Sequence, residues 1–277
     1  MSGPFVPVYS IAKVYTAAAI LSVVDIDDAI GSRLPDLSPE VASLSIRDIL
    51  SHRSGLNDYF AWPDYRAAVA ADEDPWPVSA VVDRAEVSTR NRFGYSNIGY
   101  LLLRLTLERV TRKPFFDALD ELVLRPLKVT ARPFDDRTDW RHCDHPEVTE
   151  KLRRYHPGWV YPGTFLARVE DAAAGIGRLM AGGLGTEVPT AMTRAFPVDA
   201  PGHPLSPSGY GLGLMTRGFP PTVVGHGGGG PGFSLFAATT VDGSRSAGMV
   251  TTNEGENLDL IAECVARVEA GKQNGPP

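Results

Sequence analysis

An α+β fold is predicted by three features of this sequence. A helix-rich stretch fills the middle of the 277 residues, three strand-like runs follow in the last third, and the two do not alternate as βαβ units would. One unit over 1–277 is expected, with a helix-rich part at about 25–205. The sheet and C-terminal helix are expected at about 206–270, joined by an early helix at 10–24.

Residues 10–24 are rich in Ala and Val and read as a mostly buried helix. Ser45-Ile46-Arg47-Asp48 resembles a capping box and opens a short helix expected to stop near Gly55. Residues 98–110 carry leucines at 101, 102, 103, 105 and 107, too many for one narrow stripe, so this is a core helix. Pro114 stands where the first residue of a helix belongs and leads 115–124. A further helix spans 169–180, closed by Gly182-Gly183. Residues 222–224, 234–241 and 247–252 read as strands, with Asp242-Gly243 as a hairpin turn between the last two. Apolar residues at 258, 261, 262, 265 and 268 give 257–269 one apolar helix face that can cover the sheet. The tail 271–277 reads as a frayed end.

With 27 Lys+Arg against 33 Asp+Glu, the formal charge is −6. No Lys/Arg run offers the phosphate-neutralising surface that nucleic acid needs, so no nucleic-acid partner is expected. No apolar run reaches the roughly 20 residues of a membrane span. Neither a secretory leader nor a disulfide framework is visible, since Cys143 and Cys264 are the only cysteines; a reduced, cytoplasmic setting is expected.

Ser10-Ile11-Ala12-Lys13 sets a hydroxyl and an amine one helical turn apart on one face. A lysine buried there would lose proton affinity and could serve as a base. Alone, S-x-x-K occurs about once by chance in such a chain, and a helix cap followed by a surface lysine is then the better explanation. Tyr95-Ser96-Asn97, just before the leucine-rich helix, is either a core tyrosine with a cap or a proton relay beside an orienting amide. The run Gly225-His226-Gly227-Gly228-Gly229-Gly230-Pro231-Gly232-Phe233 lacks the side chains a strand packs with, as where backbone approaches a ligand; a flexible loop is the plain alternative. A dinucleotide site is rejected because a strand, not a helix, follows. The HGGG oxyanion loop of α/β-hydrolases is rejected because no G-x-S-x-G exists. His142-Cys143-Asp144-His145, with His156 nearby, matches no paired zinc spacing and reads as a polar loop.

Taken in order, S-x-x-K, Y-x-N and a late Gly-rich strand resemble the serine hydrolases built on the class C β-lactamase fold. That group includes D-alanyl-D-alanine carboxypeptidases, D-amino-acid peptidases and family VIII esterases. SIRDILSHRSGL, FGYSNIGYLLL, GYGLGL and GHGGGGPGFS resemble segments of the family, so the likeness runs from about 8 to 253. It implies a β-lactamase/transpeptidase-like fold and an acyl-enzyme mechanism on small esters or amides, without metal or cofactor. Ser10 would be the nucleophile, Lys13 its base, Tyr95 the relay to the leaving group, and Asn97 would orient Lys13 and substrate. The oxyanion would meet the N–H groups of Ser10 and Gly229, and His226-Gly227-Gly228 would bind substrate where many members have Lys-Thr-Gly. Histidine there resembles esterase and aminopeptidase members, although its ordinary titration near neutrality leaves weak anion recognition open. Acyl transfer, or a binding protein that has lost turnover, are the alternatives. Members usually carry two strands ahead of the nucleophile helix, whereas Ser10 nearly opens this chain. The implied sheet is therefore reduced to about three strands, with an edge near 247–252 that a homodimer or another partner would cover.

Overall fold

The computed structural model describes residues 3–253 and 255–270, so the 271–277 tail lies outside the described residues. Its first long helix, Ala12–Val23, is buried on every side from Ala12 to Ile20. A helix apolar all round has nowhere else to go. It packs against the Asn97–Thr111 helix, which Ser96 caps by accepting a hydrogen bond from Gly99 N at 3.0 Å. Ser45 caps Ile46–Leu50 through Asp48 N, but that helix ends at Leu50, ahead of the expected stop. Gly55 (φ +78°) belongs to a later turn. Pro114 is the cap of Phe115–Leu119 and not its first residue. Val169–Met180 matches its expected bounds, and Gly182 adopts φ +86° just beyond it.

The main sheet is antiparallel and has six strands: β4 (Phe196–Pro197), β5 (Ser208–Tyr210), β6 (Met215–Arg217), β7 (Val223–Gly230), β8 (Phe233–Thr240) and β9 (Ser246–Thr251), in that order. The expectation of about three strands is thereby corrected. β4, β5 and β6 are two or three residues long, too short to show alternation in a sequence. A separate small sheet joins β1 (Val6–Pro7), β3 (Phe165–Ala167) and β2 (Ala131–Pro133). The glycine run is no loop: β7 continues through it, paired with β8 from Val223↔Thr240 to Gly230↔Phe233.

β8 is buried on both faces. Phe236 and Ala238 meet Leu260, Ile261 and Cys264 of the Leu258–Glu269 helix, which Asn257 caps. Leu235 and Ala237 face the main core, where Val169–Met180 crosses β8 and β9. The β8–β9 connection is a five-residue loop, not a two-residue turn, in which Asp242 accepts from Ser244 N and from the Thr240 and Ser244 hydroxyls. β9 ends the sheet, and among the described residues no strand pairs with its outer edge. No helix among the described residues is long and apolar enough to cross a membrane.

Candidate active site

Chain entry into the first helix is a single 3₁₀ turn, Tyr9–Ile11. Tyr9 sits at φ +46°, a left-handed conformation that costs a non-glycine residue about 1 kcal/mol or more. It is held there by its hydroxyl donating to Pro231 O at 2.6 Å and by Val8 N donating to Phe165 O at 3.0 Å. The turn presses on β7. A Cβ on Gly228 would lie 2.4 Å from Val8 O, and one on Gly230 would lie 2.5 Å from the Tyr9 ring. The bare backbone at those two positions therefore serves the chain's own packing first. A Cβ on Gly227 or Gly229 would instead meet only ordinary contacts, none nearer than 3.7 Å.

Ser10 is half-buried at the centre of the predicted constellation. Lys13 Nζ lies 3.1 Å and the Tyr95 hydroxyl 3.0 Å from Ser10 Oγ. Lys13 is 2% exposed; its Nζ donates to Asn97 Oδ1 at 2.8 Å and stands over the Tyr95 and Tyr100 rings. Burial lowers its pKa to about 7, against a smaller opposing pull from the Asp58 charge. Burial also pushes the Tyr95 phenol above its ordinary range, so it is a protonated donor at neutral pH.

His226 is buried too. Its Nδ1 lies 2.6 Å from Gly227 O, which can only accept, so Nδ1 carries the hydrogen. Nε2 is left to accept from the Tyr210 hydroxyl at 3.0 Å. Burial, with Lys13 nearby, holds its pKa at about 3. The expectation that His226 could titrate near neutrality and meet an anion is thus corrected: the ring is neutral and both nitrogens are engaged.

Asp58, His52 and Tyr210 were not legible as site residues. Asp58 accepts from Phe60 N, Asn97 N and Asn97 Nδ2, using both carboxylate oxygens. An acceptor on that side turns the Asn97 amide so that its oxygen faces Lys13. His52, at φ +55°, accepts from Ser96 N at 3.2 Å and packs 4.3 Å from the Tyr95 ring. The contacts of Asp58 and His52 join residues about forty positions apart, and no local pattern announces them.

Two cavities meet at Ser10. The larger, about 570 Å³, is walled by Phe60, Phe93, Tyr95, Tyr210, Met215 and the β7 backbone from His226 to Gly230. The smaller, about 240 Å³, shares Ser10, Phe60, Gly229, Gly230 and Pro231, and half of its other lining residues are aromatic. The rejected 142–145 cluster is used structurally: Asp144 accepts from Phe5 N at 2.6 Å, Cys143 is buried, and His145 packs on the Phe233 ring.

Comparison with known proteins bears on the fold and the family. A D-aminopeptidase of Cereibacter sphaeroides is 25% identical over 147 residues, which cover 51% of this chain and 28% of that relative, so the match spans little more than a quarter of it. A D-stereospecific amidohydrolase from Streptomyces sp. superposes with a TM-score of 0.78 at 24% identity, covering 94% of this chain and 86% of its own. An octameric penicillin-binding protein homologue from Pyrococcus abyssi superposes with a TM-score of 0.73 at 19% identity, covering 98% and 66%. The family profile described as Beta-lactamase matches residues 5–271, nearly everything from the turn before Ser10 to the end of the last helix, and the chain belongs to that family.

Proposed function

We propose that this chain is a serine acyl hydrolase, an esterase or amidase, working through an acyl-enzyme on Ser10. The observation that carries this reading is the Ser10 hydroxyl within 3.1 Å of Lys13 Nζ and 3.0 Å of the Tyr95 hydroxyl, where two cavities meet. A lysine with a pKa of about 7 is substantially unprotonated at neutral pH and can take the Ser10 proton as Oγ adds to the substrate carbonyl. The oxyanion would be received by the N–H groups of Ser10 and Gly229; donors of this kind contribute about 10²–10³ in rate. As the bond to the leaving group breaks, Tyr95 gives up its proton to that group and is reprotonated from Lys13. Water then adds to the acyl-enzyme, its proton passes to the Tyr95–Lys13 pair, and the acid leaves with Ser10 restored. Asn97 holds Lys13 in line. These steps ask for no metal or cofactor.

The substrate side favours small neutral esters or amides. His226, Gly227 and Gly228 line the larger cavity without offering a cation, which disfavours carboxylate-bearing substrates. The names of the D-aminopeptidase and the D-stereospecific amidohydrolase support amides within that class. Acyl transfer uses the same first half with an alcohol or amine replacing water, and the larger cavity has volume for such an acceptor. One catalytic unit over 1–277 is supported by a main core running from Phe5 to Ala237. A second copy is proposed to cover the β9 edge, and two buried unpaired thiols support a cytoplasmic setting.

The test is hydrolysis of p-nitrophenyl butyrate and labelling by a fluorophosphonate, in wild type and Ser10→Ala. Turnover and label are both expected to vanish in the variant. Equal rates in the two proteins, or a wild type that takes no label, would sink the reading and leave a binding protein. Adding an alcohol or amine and analysing products separates hydrolysis from transfer.

A further inference from the structure

We infer that the smaller cavity beside Ser10 is the acyl pocket and that it takes aromatic or similarly bulky apolar acyl groups of the arylacetyl or arylpropionyl class, while the leaving group lies in the larger cavity. This rests on the serine hydrolase reading above.

Direction comes first. Ser10 and Gly229 border both cavities, so a carbonyl at Ser10 sits on the ridge between them. The carbonyl's two substituents must then run into different lobes. A leaving oxygen or nitrogen needs a proton when its bond to carbon breaks, and Tyr95 is the donor next to Ser10 Oγ. Tyr95 borders the larger cavity and not the smaller one. The leaving group therefore occupies the larger lobe, and the acyl group the smaller.

Chemistry of the smaller lobe comes second. Its wall is a ring cluster in which Tyr65 meets Trp159 edge-on at 5.3 Å and Tyr59 at 4.8 Å, with Val69 beside them. The Tyr65 hydroxyl donates to Trp159 O and the Tyr9 hydroxyl to Pro231 O, so these two hydroxyls are bound to backbone and their rings are left to line the lobe, with Asn97 as a polar member of the wall. Arg66, at its exposed side, has its Nε tied to Phe60 O at 2.8 Å. Aromatic walls favour aromatic guests by edge-to-face and offset contacts. A dry cavity of about 150 Å³ holds benzene; one of about 240 Å³ has room for a phenyl ring and a short linker. A ring cluster that served the core alone would close on itself, whereas this one opens onto Ser10.

The experiment varies the acyl group of p-nitrophenyl esters and keeps the leaving group fixed: acetate, butyrate, phenylacetate and 3-phenylpropionate, each corrected for its rate in buffer. In wild type the two aryl esters are expected to exceed acetate in kcat/KM by about tenfold or more. Ala70→Trp, which adds bulk from the exposed side of the smaller lobe, should lower that aryl-to-acetyl ratio by about tenfold. Val69→Phe should lower it too and serves if the first variant loses its near-UV circular dichroism. Equal rates for aryl and acetyl esters in wild type would overturn the assignment. So would a preference that Met215→Trp, in the larger lobe, removes while Ala70→Trp keeps it. If wild type and Ser10→Ala hydrolyse every ester alike, the hydrolase reading itself has failed and this assignment falls with it.

Discussion

An ammonium removed from water loses proton affinity because its charged form loses solvation, and Lys13 has lost nearly all of its water. Asp58 restores part of that affinity through its charge, and it also fixes the Asn97 amide that meets Lys13. The other titratable groups around the lysine are Tyr95, Tyr100, His52 and His226; burial keeps the tyrosines protonated and the histidines neutral. The acidic limb of kcat/KM should therefore fall near pH 7, where Lys13 loses its proton. Asp58→Asn keeps an acceptor for Asn97 but removes the charge, so the limb should move down by about half a pH unit to one unit. Asp58→Ala removes both and should cost roughly 10²-fold in kcat/KM. A limb that stays in place in both variants would reduce Asp58 to a cap of the Tyr59–Ala61 turn. The sign for stability is separate. The folded pKa of about 7 lies below the unfolded 10.5, so between them the unfolded chain binds the extra proton and stability rises with pH. Lys13→Met should thus be most stabilising, relative to wild type, below pH 7, and the advantage should fade toward pH 10; melting curves at three pH values check it. Ser10, Lys13, Tyr95, Asn97 and His226 were legible because each lies in a short motif. Asp58 was not, because its contact with Asn97 spans 39 positions and exists only once the chain has folded.

Strand β7 shows what local pattern can and cannot reveal. Glycine weakens a strand, which left a flexible loop as the plain alternative for the run, yet the structure continues pairing through it because two of its glycines face the Tyr9–Ile11 turn. Alternation then makes a sharp prediction. Gly228→Ala and Gly230→Ala should each destabilise by about 1–3 kcal/mol, since their methyl groups meet Val8 O and the Tyr9 ring. Gly227→Ala and Gly229→Ala should change stability little, because their Cβ atoms find ordinary contact distances. Urea unfolding of the four variants is the measurement, and a uniform loss across all four would refute the alternation. The long helices were legible from periodicity and caps. The two- and three-residue strands β4, β5 and β6 were not, because so short a segment shows no period and its pairing is set by neighbours.

At the scale of the molecule the sheet is covered on both faces but not on one side. Val169–Met180 and the Leu258–Glu269 helix enclose β8 and β9, and among the described residues no strand pairs with the outer row of β9 backbone N–H and C=O groups. Natural edges are blunted by lysine, proline, a bulge or extreme shortness. β9 has none of these: it is Ser-Ala-Gly-Met-Val-Thr, in continuous register with β8 from Thr239↔Ser246 to Ser234↔Thr251. An antiparallel strand paired with its own two-fold copy satisfies both edges at once, with the same residues on each side. A second copy fits better than an unrelated chain because it needs no further surface to match. Sedimentation velocity at micromolar concentration should therefore show twice the 29.8 kDa chain, and the amides of 246–251 should exchange more slowly as concentration rises. A 29.8 kDa species whose β9 amides exchange at the same rate at every concentration would remove the second copy from the edge and leave β9 as an unpaired strand held only by β8.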